Sequence, residues 1–198
     1  MDSKLSRICD GLIEAGWLAA VIISPLFFNL HSSRIFEPDK VTLLRSITLF
    51  MAAAWLIKFI DQQGWRSLDW SRWRGEHSIW RMPFVMPVTL LVVIYLVSTA
   101  FSVTPVLSWA GSYQRLQGTY TILAYIVIFA LLVTTIRTRQ QITRLVSVII
   151  VTSIPISLYG MMQRLGLDPI SWASQLVQTR ISSTLGNSIF LAAYLIMV

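Results

Sequence analysis

The chain has 198 residues, of which 55% are hydrophobic and only 13% charged, and it carries a net charge of +7. A soluble globular domain has about 25% charged residues, so this composition excludes an ordinary water-soluble domain and belongs to a chain that meets lipid. The excess of Lys and Arg follows from membrane topology, as set out below, and calls for no nucleic-acid partner.

Apolar windows lie near 11–30, 42–60, 84–101, 119–136 and 145–163. Each approaches the about 20 residues that cross about 30 Å of hydrocarbon as a helix, so five complete transmembrane helices are expected. A sixth run, 188–198, rises only about 17 Å at about 1.5 Å per residue. It reads as the start of a sixth span, and residues 1–198 as a single transmembrane domain, the N-terminal part of a longer protein. Stretches such as "TLLVVIYLV" and "YIVIFALLV" lack the period-2 alternation of a membrane barrel. The expected fold is therefore all-α, a polytopic helical membrane protein whose helices satisfy their own backbone in lipid.

Lys4 and Arg7 precede the first apolar run, but no small-residue cleavage pattern follows it, so the segment reads as an uncleaved first span. Cys9 is the only cysteine, which rules out an intrachain disulfide and leaves a packed thiol or an acylated one. The next loop, "NLHSSRIFEPDK", holds a helix start, with Glu37 as a candidate cap, Pro38 at the first helical position and Asp39 near the positive dipole end. Its His31 has no recognisable base or nucleophile beside it.

Arg45 lies about five residues, or roughly 7 Å, into the second span. A guanidinium there either snorkels to the headgroups or faces an interior polar cavity. The loop 61–83 interleaves Trp65, Trp70, Trp73 and Trp80 with arginines, as a segment lying on anionic headgroups would.

The loop "SWAGSYQRLQGTY" separates the third and fourth windows, and Trp109, Tyr113 and Tyr120 in it suit an aromatic belt. Arg115 is the only ionised side chain from Phe101 to Ile136 and has no carboxylate near it in sequence. A guanidinium fork with Ser112, Gln114, Gln117 and the amides near Gly111 and Gly118 suits a phosphate or diphosphate oxygen.

Pro155 and Gly160 in the fifth window are able to break that helix in the manner of a transporter, yet no span carries a mid-membrane acid for ion coupling. The segment after it repeats the arginine theme: Arg164 closes the span and Arg180 precedes "SSTLGN". Between them Asp168 and Pro169 start a short surface helix containing Trp172, Leu176 and Val177, with Asp168 as its cap. No metal-ligand spacing and no phosphate-cradling glycine loop is present, so no metal and no cofactor is assigned.

Lys4, Arg7, Lys58, Arg66, Arg72, Arg74, Arg81, Arg137, Arg139 and Arg144 fall on one side of this arrangement. Arg34, Lys40, Arg115, Arg164 and Arg180 fall on the other, with Arg45 near it. The positive-inside rule then puts the N-terminus in the cytoplasm.

Together, "SWAGSYQRLQG" in an outer loop and "RISSTLGNSIFLAAYL" leading into a span resemble the O-antigen ligase and polymerase family of bacterial envelope glycosyltransferases. The resemblance implies a protein of the bacterial inner membrane that transfers a glycan from an undecaprenyl-diphosphate carrier at the outer face, without metal or nucleotide sugar. It implies diphosphate contacts at Arg115 and Arg180, with Arg45 and Arg164 as further candidates. Ser183 stands where the family often has glycine, and Ser188 and Ile189 stand where Pro-Asn is common. The family's larger external loop, with its catalytic histidine, has no counterpart here, so no catalytic residue is assigned. The partners so implied are membrane lipids and a lipid-linked glycan. The competing expectation is a non-catalytic scaffold subunit packed against other membrane protein subunits.

Overall fold

The computed structural model describes residues 3–32, 35–62, 84–168, 170 and 180–198. These residues form seven α-helices and one 3-10 turn, and among them there is no strand. The helices are α1 (Lys4–Leu26), α2 (Pro38–Asp61), α3 (Val85–Ala100), α4 (Pro105–Ala110), α5 (Thr119–Thr135), α6 (Arg139–Arg164) and α7 (Ser188–Met197). The 3-10 turn, Ser183–Leu185, precedes α7. The tryptophan-rich loop, Arg34 and the surface helix expected around Trp172 lie outside the described residues.

Local chemistry sets most boundaries. Ser3 caps α1 by accepting the amide N–H of Ser6 at 2.9 Å. Thr138 and Gln141 form a reciprocal capping box that starts α6 at Arg139, six residues before the apolar window begins. Pro38 opens α2 as expected, but Glu37, at the cap position with helical backbone angles, makes no side-chain cap bond. Asp39 instead accepts from Asn29 Nδ2 at 2.8 Å, which ties the start of the first loop to the first turn of α2.

Among the described residues only α1, α2 and α6, with 23, 24 and 26 residues, are long and apolar enough to cross a membrane. The expected five complete spans are not reached on that measure. α3 stops at 16 residues because Ser102, Thr104 and Pro105 turn the chain, and it rises about 24 Å. α5 stops at 17 residues, where Ile136 becomes extended ahead of the Thr138 cap. α7 has 10 residues.

α1, α2 and α5 share one core: Ile13, Trp17, Met51, Ala54 and Leu131 are all buried. Gly16 makes the close approach of α1 to α2, since a Cβ there would strike Met51 Cγ. Much of the remaining apolar surface faces outward; Leu49, Phe50, Leu56 and Ile60 on α2 are each more than half exposed. A small core inside a large apolar exterior is the distribution expected of helices whose solvent is hydrocarbon.

One end of this core is fastened by polar pairs. Ser3 Oγ donates to the Asp61 carboxylate, Lys58 pairs with Asp10 at 2.5 Å, and Gln62 Nε2 donates to Ser6 Oγ at 2.9 Å. Glu14 Oε1 lies 2.9 Å from Arg144, and its Oε2 accepts from Gln141 Nε2 at 3.0 Å. These contacts place the start of α1 beside the end of α2 and the start of α6. The opposite end therefore gathers the end of α1, the start of α2, the end of α6 and the two turns that precede α5 and α7.

Replacing Gly16 with Val is expected to force α1 away from Met51, at about 1–3 kcal/mol for overpacking. Thermal unfolding in detergent checks this; an unchanged midpoint would mean that the two helices do not depend on that approach.

Candidate functional site

At the end of the bundle away from the Asp10 and Glu14 pairs, the loop between α4 and α5 folds around Arg45. Arg45 Nε donates to Thr121 Oγ1 at 2.9 Å. Its Nη2 reaches Ala110 O at 2.8 Å, Leu116 O at 2.6 Å and Thr121 Oγ1 at 2.6 Å. Thr121, fully buried, donates its own hydroxyl proton to Leu116 O at 2.5 Å, so that hydroxyl is used as donor and twice as acceptor. The guanidinium carbon also lies 4.6 Å from the centre of the Tyr120 ring, which stacks on Trp109 at 6.2 Å.

The sequence folds this way because two glycines let the strands of the loop cross. A Cβ on Gly118 would strike Trp109 O, and one on Gly111, at φ 87°, would come within 2.5 Å of Gln117 N. Between them Leu116 takes φ 51°, a left-handed conformation unusual for a branched side chain, and its carbonyl is turned toward Arg45. Arg45 thus holds a strained turn by its carbonyls.

Arg115 sits on that turn. Its amide and that of Leu116 donate to Ser112 O at 3.1 and 2.7 Å, which fixes the backbone. Its side chain is exposed and has no hydrogen bond or ion pair among the described residues. Ser112, Gln114 and Gln117 are exposed around it. The amide of Gly111, expected as an anion donor, is already bonded to Leu107 O at 2.8 Å.

The second assembly is the turn before α7. Ser183 Oγ donates to Ile156 O at 2.7 Å and Thr184 Oγ1 to Pro25 O at 2.7 Å. Lys40 Nζ donates to Thr184 O at 2.7 Å. Gln163 Oε1 accepts from the amides of Ser182 and Ser183 at 3.3 and 2.7 Å. Gly186, at φ 75°, lies under the Phe36 ring, where a Cβ has no room. The hydroxyls of "SSTLGN" that have partners are therefore spent on joining α1 and α6, while Lys40 adds α2.

Arg164 ends α6 and Arg180 begins this turn; both are exposed and have no hydrogen bond or ion pair among the described residues. The four expected arginines thus fall into two pairs: Arg45 with the loop of Arg115, and Arg164 with Arg180 at the ends of one connection. No hydrogen bond or ion pair among the described residues joins the pairs. Asp168 accepts from Ile170 N and Tyr159 Oη, both at 3.0 Å, which gives it an Asx-turn role at the end of α6. Among the described residues no group of three His, Cys, Asp or Glu could hold a metal ion.

Sequence reasoning passed over Lys40, Thr121, Thr184 and Gln163. Their signal was a polar residue next to an apolar run, which is common and gives no hint of which distant carbonyl it meets.

Arg45→Ala would leave the carbonyl of Ala110 unpaired, at about 1–3 kcal/mol if it stays buried, and that of Leu116 with the Thr121 hydroxyl alone. Hydrogen exchange of residues 110–121 is expected to accelerate by at least about tenfold, which is about 1.4 kcal/mol, while α1 and the C-terminal half of α2 keep their protection. Equal exchange in both proteins would show that the turn stands without Arg45. No family model, curated protein or solved structure matches this chain.

Proposed function

We propose that this chain is a membrane protein that binds a lipid-linked glycan by its diphosphate at the outer face of the bacterial inner membrane, as part of an O-antigen ligase or polymerase. The observation that carries the reading is Arg115, an exposed guanidinium without a partner among the described residues, on a turn held rigid from below by Arg45. Arg164 and Arg180 are exposed at the same end of the bundle and supply further positive charge. Arg45 supports from behind, with Nη1 still without a partner among the described residues.

In this reading the chain crosses the membrane five times, with α7 beginning a sixth span and the N-terminus in the cytoplasm. α3 and α5, at about 24 and 26 Å, come close to the about 30 Å of hydrocarbon, and Lys4, Arg7, Lys58, Arg137 and Arg144 gather at the proposed inner end. In transfer, an acceptor hydroxyl bonds to the anomeric carbon and loses its proton, while the carrier diphosphate leaves with the bonding electrons. A guanidinium at that diphosphate stabilises the charge it gains.

The alternative is a non-catalytic scaffold subunit of a membrane complex, favoured by the extensive exposed apolar face of α2, which suits a partner helix as well as lipid. Complementation separates the two. In cells lacking the intact protein, wild type is expected to restore glycan transfer and Arg115→Ala to lose about 10²–10³-fold in rate. Full restoration by Arg115→Ala at equal abundance would discard the diphosphate role and favour the scaffold.

A further inference from the structure

A groove of about 400 Å³ runs between the second half of α6 and α7. Its walls are mainly apolar, with Ile156, Gly160, Met161, Leu191 and Leu195 along it beside Ser157 and Ser188, and among the described residues Arg164 is the only charged side chain that lines it. From Ile156 to Arg164 the helix rises about 12 Å, less than half of the about 30 Å hydrocarbon thickness. The groove therefore fits a tail that belongs to one leaflet, with the charge at the end where the headgroups lie.

The charge is uncompensated. Arg164 has no carboxylate partner among the described residues, and Arg180, likewise exposed and unpaired among them, is the immediate neighbour of the groove-lining Ile181. A second groove of about 320 Å³, between α2 and α5, is lined by Ala52, Trp55, Leu56, Val127, Leu131 and Thr134 among others and has no charged side chain among its described lining residues. Apolar walls alone are thus ordinary on this surface, and the guanidinium at the mouth is what singles out the α6–α7 groove. A planar fork of donors matches the oxygens of a phosphate or a carboxylate, and phosphate is the one that a phospholipid headgroup carries next to its tails.

We infer that the α6–α7 groove is a binding site for one anionic phospholipid of the outer leaflet, its acyl chain along Gly160 and Leu191 and its phosphate on Arg164, with Arg180 beside it. The site needs no glycan transfer; its assignment to the outer leaflet rests on the orientation proposed above, whereas the binding tested below does not.

The test is native mass spectrometry of the whole chain released from nanodiscs of mixed phosphatidylglycerol and phosphatidylcholine. Wild type is expected to retain phosphatidylglycerol in preference to phosphatidylcholine, and to keep it in millimolar inorganic phosphate because the tail is also held. Arg164→Gln, at an exposed position, is expected to lower phosphatidylglycerol occupancy by at least about tenfold through loss of a charge-assisted pair. Ala192→Trp, which fills the groove from an exposed position, is expected to lower it similarly, and Arg137→Gln at the other end of the bundle to leave it unchanged. Equal retention of both lipids, displacement by inorganic phosphate, insensitivity to Arg164→Gln, or a lipid-free dimer seated on α7 would each overturn the site.

Discussion

The end of this bundle that holds Arg45 depends on the need to satisfy backbone carbonyls where water is scarce. Ala110 O and Leu116 O, in a connection too short and too bent to form helix bonds, are both met by one guanidinium that reaches them from α2. Guanidinium suits the task because it offers several donors in a plane and stays charged. Thr121 completes the set as acceptor for Arg45 and donor to Leu116. The result is a turn with a left-handed Leu116 that is fixed in place although its tip is exposed.

The same constraint is met differently one turn earlier on α2. Lys40 bonds the carbonyl of Thr184, and the hydroxyls of Ser183 and Thr184 bond the carbonyls of Ile156 and Pro25. Pro25 and Pro155 both lie inside helices, and proline disrupts the local hydrogen-bond ladder. The polar turn before α7 thus fastens α1 and α6 near their prolines, and α2 through Lys40. At the opposite end the fastening is ionic, through Asp10, Lys58, Glu14 and Arg144. At that end Lys58 and Arg144 are paired while Lys4, Arg7, Arg137 and Arg139 are not, and at the Arg45 end Arg115, Arg164 and Arg180 likewise have no ion-pair partner among the described residues.

The all-helical class was legible from composition, because long apolar runs without alternation leave few other structures. The helix starts at Pro38 and Thr119 were legible too, since proline and glycine mark them locally. The start of α6 at Arg139 was not, because a capping box of Thr138 and Gln141 extends the helix into a polar stretch that hydropathy discards. α4 was missed for a similar reason, being six residues inside a loop. In the site, Arg115 stood out as a lone charge in a long neutral stretch. The work of Arg45 did not, because its partners are carbonyls 65 and 71 residues away, which no side-chain pattern records. Glu14 was overlooked although it follows Asp10 by one helical turn, on the face that meets Lys58 and Arg144.

The central claim is that Arg115, carried on a turn fixed by Arg45, receives a lipid diphosphate. The direct measurement is calorimetric titration of the detergent-solubilised protein with a short-chain prenyl diphosphate, comparing wild type with Arg115→Gln. Saturable binding to wild type that weakens by about tenfold or more in the variant is the expected result for loss of a charge-assisted hydrogen bond. Equal affinity in the two proteins, or no binding to wild type, would contradict the claim.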